Sequence, residues 1–513
     1  MGASDREVDE AEGDPSGLVA RLRGLLSRSP TDGDAPDKVN FQTRMFGSAA
    51  FFRLWLAQAV ASLGDWLGFL AILALASSIG LESDQQGTSI GIVMAARIIP
   101  GLFFSGPAGV LIDRMDRKQV MVVTTLVRAG VVATLPFVDS VLGLVFASFV
   151  LELASLLFQP AKDAAVPNLV PADRLASANS LGLAAAYGTF PVASLLFALL
   201  AKVAEWLGEI DVFDALIPRD EAVAFYAQGL CYIGAAGLIA RLAIPRDHVR
   251  VHEDESVDLG SVFTDIKEGW SYAFLNPVVR AVNLGLCMGL IGGGMLVPLG
   301  DVFSRNVLDA GTGGFGVITS CLGVGVAAGV IGVSARHNHI RKERTFVLSL
   351  FAAGVALLVA VSISSLALVA PAVVAMGVFA GAAYVLGYTL LQSAADDELR
   401  GRVLAGTYTL IRVCLLFSMA IGPVLLDLLD GVSDWLFGND NSVDLFGVEM
   451  ALPGVRLTLW LASLVMIGAA ALAGWSLRSA YARQAAAGAR AGAGVGNDTD
   501  HASSRTAEEV RSL

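Results

Sequence analysis

Residues 106–120 read GPAGVLIDRMDRKQV, a short charged turn between two long apolar segments. The segment before the turn covers residues 88–112, and the segment after it covers residues 119–138. An α-helix needs about 20 apolar residues to cross the ~30 Å hydrocarbon core of a bilayer at ~1.5 Å per residue. The stretch therefore predicts two transmembrane helices joined by a charged loop at the membrane surface.

The same pattern of long apolar segments and short polar turns runs through most of the chain. Ten more segments qualify as spans, near residues 51–77, 141–161, 175–205, 222–244, 279–300, 312–334, 345–365, 369–393, 403–427 and 454–478. Residues 246–270, RDHVRVHEDESVDLGSVFTDIKEGW, are too polar to enter the bilayer and separate the first six spans from the last six. The prediction is an all-α integral membrane protein of twelve transmembrane helices in two pseudo-symmetric six-helix bundles.

Composition supports lipid as the main solvent of this chain. Of its 513 residues, 55% are hydrophobic and 16% are charged, and the mean hydropathy is +0.65. A soluble domain would not tolerate this much apolar surface in water. The acids behind the formal net charge of −12 lie largely in the N-terminal tail and in a few loops between apolar segments. The net charge is therefore weak evidence about partners, and we expect no nucleic acid.

The spans divide the chain into five predicted regions. They are a cytoplasmic disordered tail (1–47), an N-terminal bundle (48–245), a cytoplasmic linker (246–277), a C-terminal bundle (278–478) and a second cytoplasmic disordered tail (479–513). The first tail lacks the short apolar core of a signal peptide. Residues 17–28, GLVARLRGLLSR, place leucines at helical spacing against arginines, which is compatible with a helix on an anionic membrane surface or with chance periodicity.

Orientation follows from the lysines and arginines, because cytoplasmic loops retain positive charge. Alternate loops contain Arg114, Arg117, Lys118, Lys162, Arg174, Arg246, Arg250, Lys267, Arg336, Arg341, Lys342, Arg344, Arg400 and Arg402. The intervening loops hold Arg219, Arg305 and little other positive charge. We therefore expect a multi-pass protein of the cell (inner) membrane with both termini in the cytoplasm.

The two halves show a weak internal repeat. Charged turns follow the fourth and tenth spans, LVPADRLASAN at 169–179 and SAADDELRGRVLA at 393–405. The fifth and eleventh spans carry Pro191 and Pro423 at comparable depths, where a missing amide donor lets a helix bend. The shared order of these features supports two related bundles.

The charged turn at 106–120 is also a candidate gate. Gly106 and Gly109 would let two helices approach closely, and Asp113 would face the basic residues Arg114, Arg117 and Lys118 at the membrane edge. Such a cluster can hold one arrangement of helices at the cytoplasmic surface and release it when they separate, with Arg400 and Arg402 in the equivalent loop of the second half. An ordinary positive-inside loop explains the basic residues but neither the glycine spacing nor the acid.

This loop resembles the signature GxLxDRxGRK of the major facilitator superfamily. The match covers Gly109, Leu111, Asp113, Arg114, Arg117 and Lys118. Asp116 stands where the family usually has glycine, and a left-handed turn there remains compatible with Asp. Residues 52–71, 158–180 and 396–405 are similar to the drug-efflux branch, which includes macrolide and siderophore exporters.

The resemblance implies a secondary active transporter, commonly a monomer, that exports small lipophilic or drug-like molecules by alternating access in antiport with protons. The fifth span departs from the efflux pattern, since YGTFPVAS (187–194) keeps Gly188 and Pro191 but loses the later glycines. The arginine that many members carry in the fourth span is absent, and Glu152 lies in that span instead. Export of an endogenous siderophore, lipid or metabolite, or a non-transporting membrane sensor or scaffold on the same fold, remain the alternatives.

Ionisable residues within the spans are candidates for function, because a charge deep in a bilayer costs ~3 kcal/mol or more without a partner or a water-filled cavity. Glu152 is the first candidate for proton coupling and Asp65 is the second. Arg97, Arg128 and Arg412 lie at similar depths and are candidate charge partners. Ion pairs that only hold helices together are the alternative for both acids, and Arg412 could also attract an anionic substrate.

Other function classes find little support in the residues. No GxxxxGK[ST] phosphate loop occurs, so an ion gradient would have to drive uphill transport. The histidines and the four cysteines show no metal-ligand spacing, and no set of residues resembles a catalytic centre. We therefore expect neither an enzyme nor a cofactor or metal, but a small-molecule substrate, a proton as coupling ion, and membrane lipid as the surroundings.

Overall fold

The structure is a computed structural model that describes residues 46–82, 85–113, 115–171, 174–208, 210, 216–242, 276–336, 340–394, 400–437, 442–445 and 448–479. Most of these residues are helical. The expectations for the two tails and for most of the 246–277 linker fall outside the described residues.

Seven helices form the described part of the N-terminal half. They are α1 (Ala49–Glu82), α2 (Gln86–Asp113), α3 (Arg117–Thr134), α4 (Val141–Ala165), α5 (Leu175–Tyr187), α6 (Phe190–Gly208) and α7 (Ala222–Ala240). Short 3₁₀ turns at Leu135–Phe137 and Val166–Asn168 follow α3 and α4. Because α5 and α6 share one predicted span, the half contains six crossings.

The described part of the C-terminal half also contains six crossings, formed by eight helices. Its helices are α8 (Pro277–Gly293), α9 (Leu296–Asn306), α10 (Gly311–Arg336), α11 (Lys342–Val361), α12 (Leu366–Ala394), α13 (Arg400–Leu416), α14 (Gly422–Phe437) and α15 (Gly454–Ser479). The pair α8 and α9 forms one crossing, and a π-helix at Phe417–Ile421 joins α13 to α14 in another.

Length and composition confirm the predicted fold class. Among the described residues, eleven helical segments are long and apolar enough to cross a membrane. The remaining predicted span is α2, a helix of 28 residues. With α2 in its place between α1 and α3, the order of twelve crossings matches the sequence prediction.

One small sheet was not foreseen from the sequence. Strands β1 (Ser442–Leu445) and β2 (Val448–Ala451) pair antiparallel in the connection between α14 and α15, with Ser442 opposite Ala451. The two strands are only four residues each. Strands this short carry too weak an alternating pattern to be recognised beside long apolar spans.

Side-chain caps fix where several helices begin. Asp116 precedes α3, and its carboxylate accepts hydrogen bonds from the backbone amides of Lys118 and Gln119 at 2.9 and 3.1 Å. Its φ is −66° and its ψ is 110°, so the left-handed turn considered for this residue is wrong. The physical reason is that an N-cap needs an extended backbone to turn its side chain back onto the free amides.

The fifth and eleventh spans are both interrupted near a proline. In the fifth span α5 ends at Tyr187 and α6 begins at Phe190, directly before Pro191. In the eleventh, the π-helix ends at Ile421 and α14 begins one residue before Pro423. Each proline therefore sits within the first two residues of a new helix, where its missing N–H leaves no hydrogen bond unmade.

The two halves meet mainly toward one end of the molecule. We call this the far end; it holds the connections from α1 to α2, from α6 to α7, from α9 to α10 and from α14 to α15, and the opposite, near end holds the loop at 113–117. The main helix pairs between the halves are α6 with α10, α2 with α14, and α1 with α9. Phe197 of α6 and Phe315 of α10 stack edge to face with ring centroids 5.9 Å apart.

A carboxylate from the C-terminal half caps a helix of the N-terminal half. Asp427 of α14 accepts hydrogen bonds from the backbone amides of Gly87 and Thr88 at 2.8 and 2.7 Å, and from the Thr88 hydroxyl at 2.5 Å. These amides belong to the first turn of α2, where they have no partner within the helix and where the helix dipole favours negative charge. Separating the halves at the far end would expose them.

Close helix packing in the C-terminal half depends on glycine. A Cβ at Gly329 of α10 would lie 3.0 Å or less from backbone atoms of Val378 in α12, so the two helices would have to move apart. A Cβ at Gly332, three residues later on α10, would meet no atom within 4 Å. Small residues at such contacts let helices gain dispersion attraction where lipid offers no hydrophobic driving force.

We predict that Gly329→Ala lowers the free energy of unfolding by about 1–3 kcal/mol, because the added methyl group overpacks a backbone contact. Thermal unfolding of the detergent-purified protein, followed by tryptophan fluorescence, measures the change. Gly332→Ala is the control on the same helix and should leave stability unchanged or raise it by up to ~1 kcal/mol through helix propensity. Equal effects of the two substitutions would contradict the assigned contact.

Candidate functional site

Asp65 and Arg128, both predicted as charges within spans, form an ion pair. Nη2 of Arg128 on α3 lies 3.3 Å from Oδ1 of Asp65 on α1. The Arg128 side chain is 2% exposed, whereas that of Asp65 is 38% exposed. Arg128 is therefore buried within the N-terminal bundle, whereas the Asp65 carboxylate is accessible from outside it.

Two polar residues of α7 complete this arrangement. The Tyr232 hydroxyl donates to Oδ1 of Asp65 at 2.7 Å and accepts from Nε2 of Gln228 at 2.9 Å. The Arg128 guanidinium carbon lies 4.2 Å from the centre of the Tyr232 ring, a cation–π distance. We call Asp65, Arg128, Tyr232 and Gln228 the central cluster. The sequence analysis missed Gln228 and Tyr232, since a tyrosine in an apolar span carries no signal of its partner.

Two glycines of α1 bring α7 close enough for these contacts. A Cβ at Gly68 would overlap the side-chain amide of Gln228, and a Cβ at Gly64 would lie 3.0 Å from Cβ of Cys231. The glycines are four residues apart and so lie on one face of α1. The sequence GDWLG (64–68) therefore places Asp65 beside a surface that accepts polar side chains from α7.

Arg128 has spare hydrogen-bond donors. Its Nη1 donates to the Ser155 hydroxyl at 3.2 Å, while Nε and Nη2 have no hydrogen-bond partner among the described residues. The Nη2–Asp65 distance satisfies an ion pair, but the atoms are not aligned as a hydrogen bond. A guanidinium offers five N–H donors, so this buried cation can bind an additional acceptor.

Glu152 and Arg97 adjoin the central cluster. Glu152 of α4 is half-buried, and its Oε1 would lie 3.8 Å from a Cβ at Gly101 of α2, so the carboxylate faces α2 one turn after Arg97. The charged groups that act on Glu152 are Arg97, Asp65 and Arg128. Arg97 in turn lies over the Phe69 ring at 5.7 Å. The structure thus gathers four of the five predicted intramembrane charges in one region of the N-terminal half.

Aromatic side chains border these charges at the interface between the halves. Trp66 contacts Phe190 at 4.9 Å and Phe69 at 6.0 Å between ring centroids. Its indole N–H donates to the Ala186 carbonyl at 2.7 Å, next to the break between α5 and α6. A Cβ at Gly323 of α10 would lie 3.0 Å from the Phe190 ring, which places the aromatic group against the C-terminal half.

Other predicted residues lie apart from this region. Arg412 is on α13 in the second half, and its side chain is exposed. At the near end, Arg117 donates from Nη1 to the Ala164 carbonyl at 2.9 Å, which ties the start of α3 to the last turn of α4. Lys118 lies in the first turn of α3. Arg114 and the side chains of Asp113, Arg400 and Arg402, with the surroundings of Gly106 and Gly109, fall outside the described part.

A second charged cluster at the far end was not predicted. Arg305 of α9 donates from Nε to Oδ2 of Asp301 at 2.9 Å and from Nη2 to Oε1 of Glu221 at 3.1 Å. Asp301 and Glu221 are fully buried. Burial raises the pKa of Glu221 to about 7, although Arg305 opposes the shift. The predicted span ended at residue 300, so Asp301 and Arg305 were assigned to a loop; their i, i+4 spacing was the available signal.

The chain is similar to known proteins in sequence and in fold. A family model described as Major Facilitator Superfamily matches residues 54–423. An uncharacterised transporter of that type, YfiS of Bacillus subtilis, is 24% identical over 72% of this chain and 85% of its own. BacE of the same species, named as a proposed bacilysin exporter, is 26% identical over 74% and 88%.

The chain is also similar to one relative over a shorter stretch and to a solved structure. Macrolide efflux protein A of Streptococcus pyogenes is 28% identical over 33% of this chain and 42% of its own. The crystal structure of a bacterial homologue of the human lysosomal transporter Spinster, in an inward-facing and unoccupied conformation, superposes with a TM-score of 0.62. It covers 84% of this chain and 96% of its own at 14% identity, which shows the shared fold.

We predict that Tyr232→Phe lowers the free energy of unfolding by about 1–3 kcal/mol, because Asp65 loses a hydrogen-bond donor and the buried Gln228 amide loses its acceptor. Thermal unfolding measures the loss. Tyr226→Phe is the control on the same helix: its hydroxyl donates to the Leu216 carbonyl at the exposed surface, so water replaces the bond. A Tyr232→Phe protein as stable as Tyr226→Phe would contradict the role assigned to the central cluster.

Proposed function

The chain belongs to the major facilitator superfamily, and from this membership we propose that it is a proton-coupled exporter of small lipophilic or drug-like molecules that works by alternating access. The family supplies the transporter fold. The coupling ion, the cargo and the direction are our proposal.

The grouping of Glu152 with Asp65, Arg97 and Arg128 carries this proposal. With both acids ionised, two negative and two positive charges balance. A proton on Glu152 would leave the group with one net positive charge in surroundings that solvate charge poorly. Proton binding and the binding of a substrate that interacts with these charges would therefore be thermodynamically linked. We propose Glu152 as the residue that exchanges the proton, with Asp65 and the two arginines setting its electrostatics.

The proposed orientation places the near end on the cytoplasmic side of the cell membrane. The near end carries Arg117, Lys118, Lys162, Arg174, Arg336 and Lys342, whereas the described far-end loops carry mainly Arg219 as positive charge. By the positive-inside rule the near end and both termini are cytoplasmic. The halves are joined at the far end, so this proposed orientation implies a state closed to the outside, and the opposite state requires the far-end contacts to open.

The character of the cargo is suggested by the interface and by the relatives. Trp66, Phe69 and Phe190 offer apolar area beside the charged group, as ligand sites commonly combine aromatic walls with a few placed polar groups. Two of the similar proteins are named for the export of bacilysin or of macrolides. An endogenous metabolite is the second candidate cargo, because the bacilysin relatives are named for one compound rather than for a class.

We predict that Glu152→Gln abolishes accumulation driven by a pH gradient but leaves substrate binding largely intact, because an amide cannot exchange a proton. Proteoliposomes loaded with a fluorescent lipophilic dye or a radiolabelled macrolide, assayed with and without a pH gradient, measure this, and thermal shift of the purified protein measures binding. Glu205→Gln, an exposed acid of α6, is the control and should transport as wild type. Gradient-driven transport that persists in Glu152→Gln would exclude Glu152.

Growth of a drug-sensitive host separates the cargo classes. Expression of the wild-type protein should raise tolerance to at least one lipophilic compound, and Asp113→Asn should reduce this gain if the near-end loop acts as a gate. Unchanged tolerance to every compound would favour an endogenous substrate. Absence of any gradient-dependent flux in proteoliposomes would instead favour a sensor or scaffold.

A further inference from the structure

Two buried acids share one arginine where the halves meet at the far end. Glu221 lies directly before α7 in the N-terminal half, whereas Asp301 and Arg305 lie on α9 in the C-terminal half. Glu221 is 1% exposed and Asp301 is 0% exposed. With both acids ionised the group carries one uncompensated negative charge, and a single added proton would neutralise it. A buried net charge is unfavourable, so the closed arrangement favours the protonated form.

One oxygen of this group is poorly satisfied. Oδ2 of Asp301 accepts from Arg305, whereas Oδ1 is buried and its neighbour, the Ser77 hydroxyl, is not aligned with it as a hydrogen bond. A carboxylate oxygen in this situation gains from carrying a proton, because the neutral acid no longer has to be solvated as an anion. The poorly satisfied oxygen and the charge imbalance both favour binding of a proton by this group.

The other charged groups around Glu221 do not remove the imbalance. Asp220 adds a further negative charge beside Glu221 and Asp301. Arg219 on the same connection pairs instead with Asp139 at 3.1 Å and with Glu82 at 3.7 Å. On α6, Lys202 pairs with Glu205 at 2.7 Å. Arg305 is therefore the cation that pairs with both buried acids, and one negative charge stays uncompensated.

A cavity of about 270 Å³ lies beside the group at the far end. It is lined by both halves, including Lys202 and Glu205 of α6, Asp220, and residues 309–313 at the start of α10. Thr312, on the cavity wall, accepts a hydrogen bond from Arg305, and its hydroxyl lies 3.5 Å from Oδ2 of Asp220. The cavity thus ends one side chain away from the arginine that holds both acids.

We propose that Glu221, Asp301 and Arg305 form a proton-binding site, and that a proton taken up there from the outside holds the far end closed. This inference goes beyond the proposed function, because it concerns residues remote from Glu152 and does not depend on which molecule is transported.

Linkage fixes the direction of the pH effect. Burial in the closed state raises the pKa of Glu221 to about 7 from its ordinary value of 4.5, which it regains when the far end opens to water. The state with the higher pKa binds the proton more tightly, so acid favours the closed state. The stabilisation of the closed state begins as pH falls through about 7 and is complete below the ordinary pKa of 4.5. A model in which protonation simply breaks the ion pair predicts the opposite direction.

Distance measurements on the full-length protein in nanodiscs test the proposal. In a background with the four cysteines replaced by alanine, Leu81→Cys and Trp435→Cys carry spin labels at exposed far-end positions in opposite halves. Lowering pH from about 8.5 to about 5.5 should raise the ratio of short to long distances by about tenfold or more, with the rise beginning near pH 7. No substrate is added, so the result is independent of the Glu152 experiment.

Variants identify the groups responsible. Glu221→Gln and Asp301→Asn each imitate a protonated acid and should keep the far end closed at every pH. Glu343→Gln, in the first turn of α11 at the near end, should retain the wild-type pH dependence. Distances that do not change with pH in the wild type, opening at low pH instead of high pH, or a wild-type midpoint in both Glu221→Gln and Asp301→Asn would overturn the proposal.

Discussion

A charged side chain within a bilayer has to find counter-charges and hydrogen bonds inside the protein, because hydrocarbon supplies neither. Three arginines show how this chain meets the constraint. Arg456 of α15 is completely buried and donates to neutral acceptors, the Val361 carbonyl and the Ser364 hydroxyl. Arg128 is held by an acid and an aromatic face, and Arg305 by two acids. In the last two cases a proton on an acid would change the charge balance around the arginine.

The two acid-containing clusters differ in what they join. The central cluster connects α1, α3 and α7, all in the N-terminal half, so it can persist while the halves move. The far-end cluster connects Glu221 to α9 across the interface and must break when that end opens. In the same region, Asp427 satisfies the free amides at the start of α2. Opening of the far end therefore exposes the amides at the start of α2 and the buried acids, and water must then solvate them. The solvation of these few polar groups is a major part of the free-energy difference between the closed and open states.

Much of the fold could be predicted from the sequence, because length and apolar character report directly on the thickness of the bilayer. The twelve spans and the two halves followed from these properties alone. Asp65, Glu152, Arg97 and Arg128 were recognised because a charge inside an apolar run is conspicuous. Their pairing was not predictable, since Asp65 and Arg128 are 63 positions apart in the chain and nothing local reports which faces of α1 and α3 meet.

Residues near span ends were the hardest to assign. Asp301 and Arg305 lie just beyond the predicted end of the seventh span, and Glu221 lies just before the sixth, so all three were taken as loop residues. The structure buries the two acids because α9 continues to Asn306 and packs against the other half. Hydropathy marks where a helix becomes polar but not where it stops. A polar helix end can still be buried when the other half of the protein packs against it.

The wide turn at Phe417–Ile421 determines which way the rest of its helix points. A π-helix accommodates one more residue per turn than the α-helix around it, and each residue of an α-helix corresponds to a rotation of about 100° about the axis. Without that extra residue, everything after Ile421 would be rotated by roughly this angle, and Asp427 would point away from the start of α2. The widened turn thus sets the rotation of α14 about its axis. This rotation directs the Asp427 carboxylate toward the start of α2, some 340 positions away in the chain.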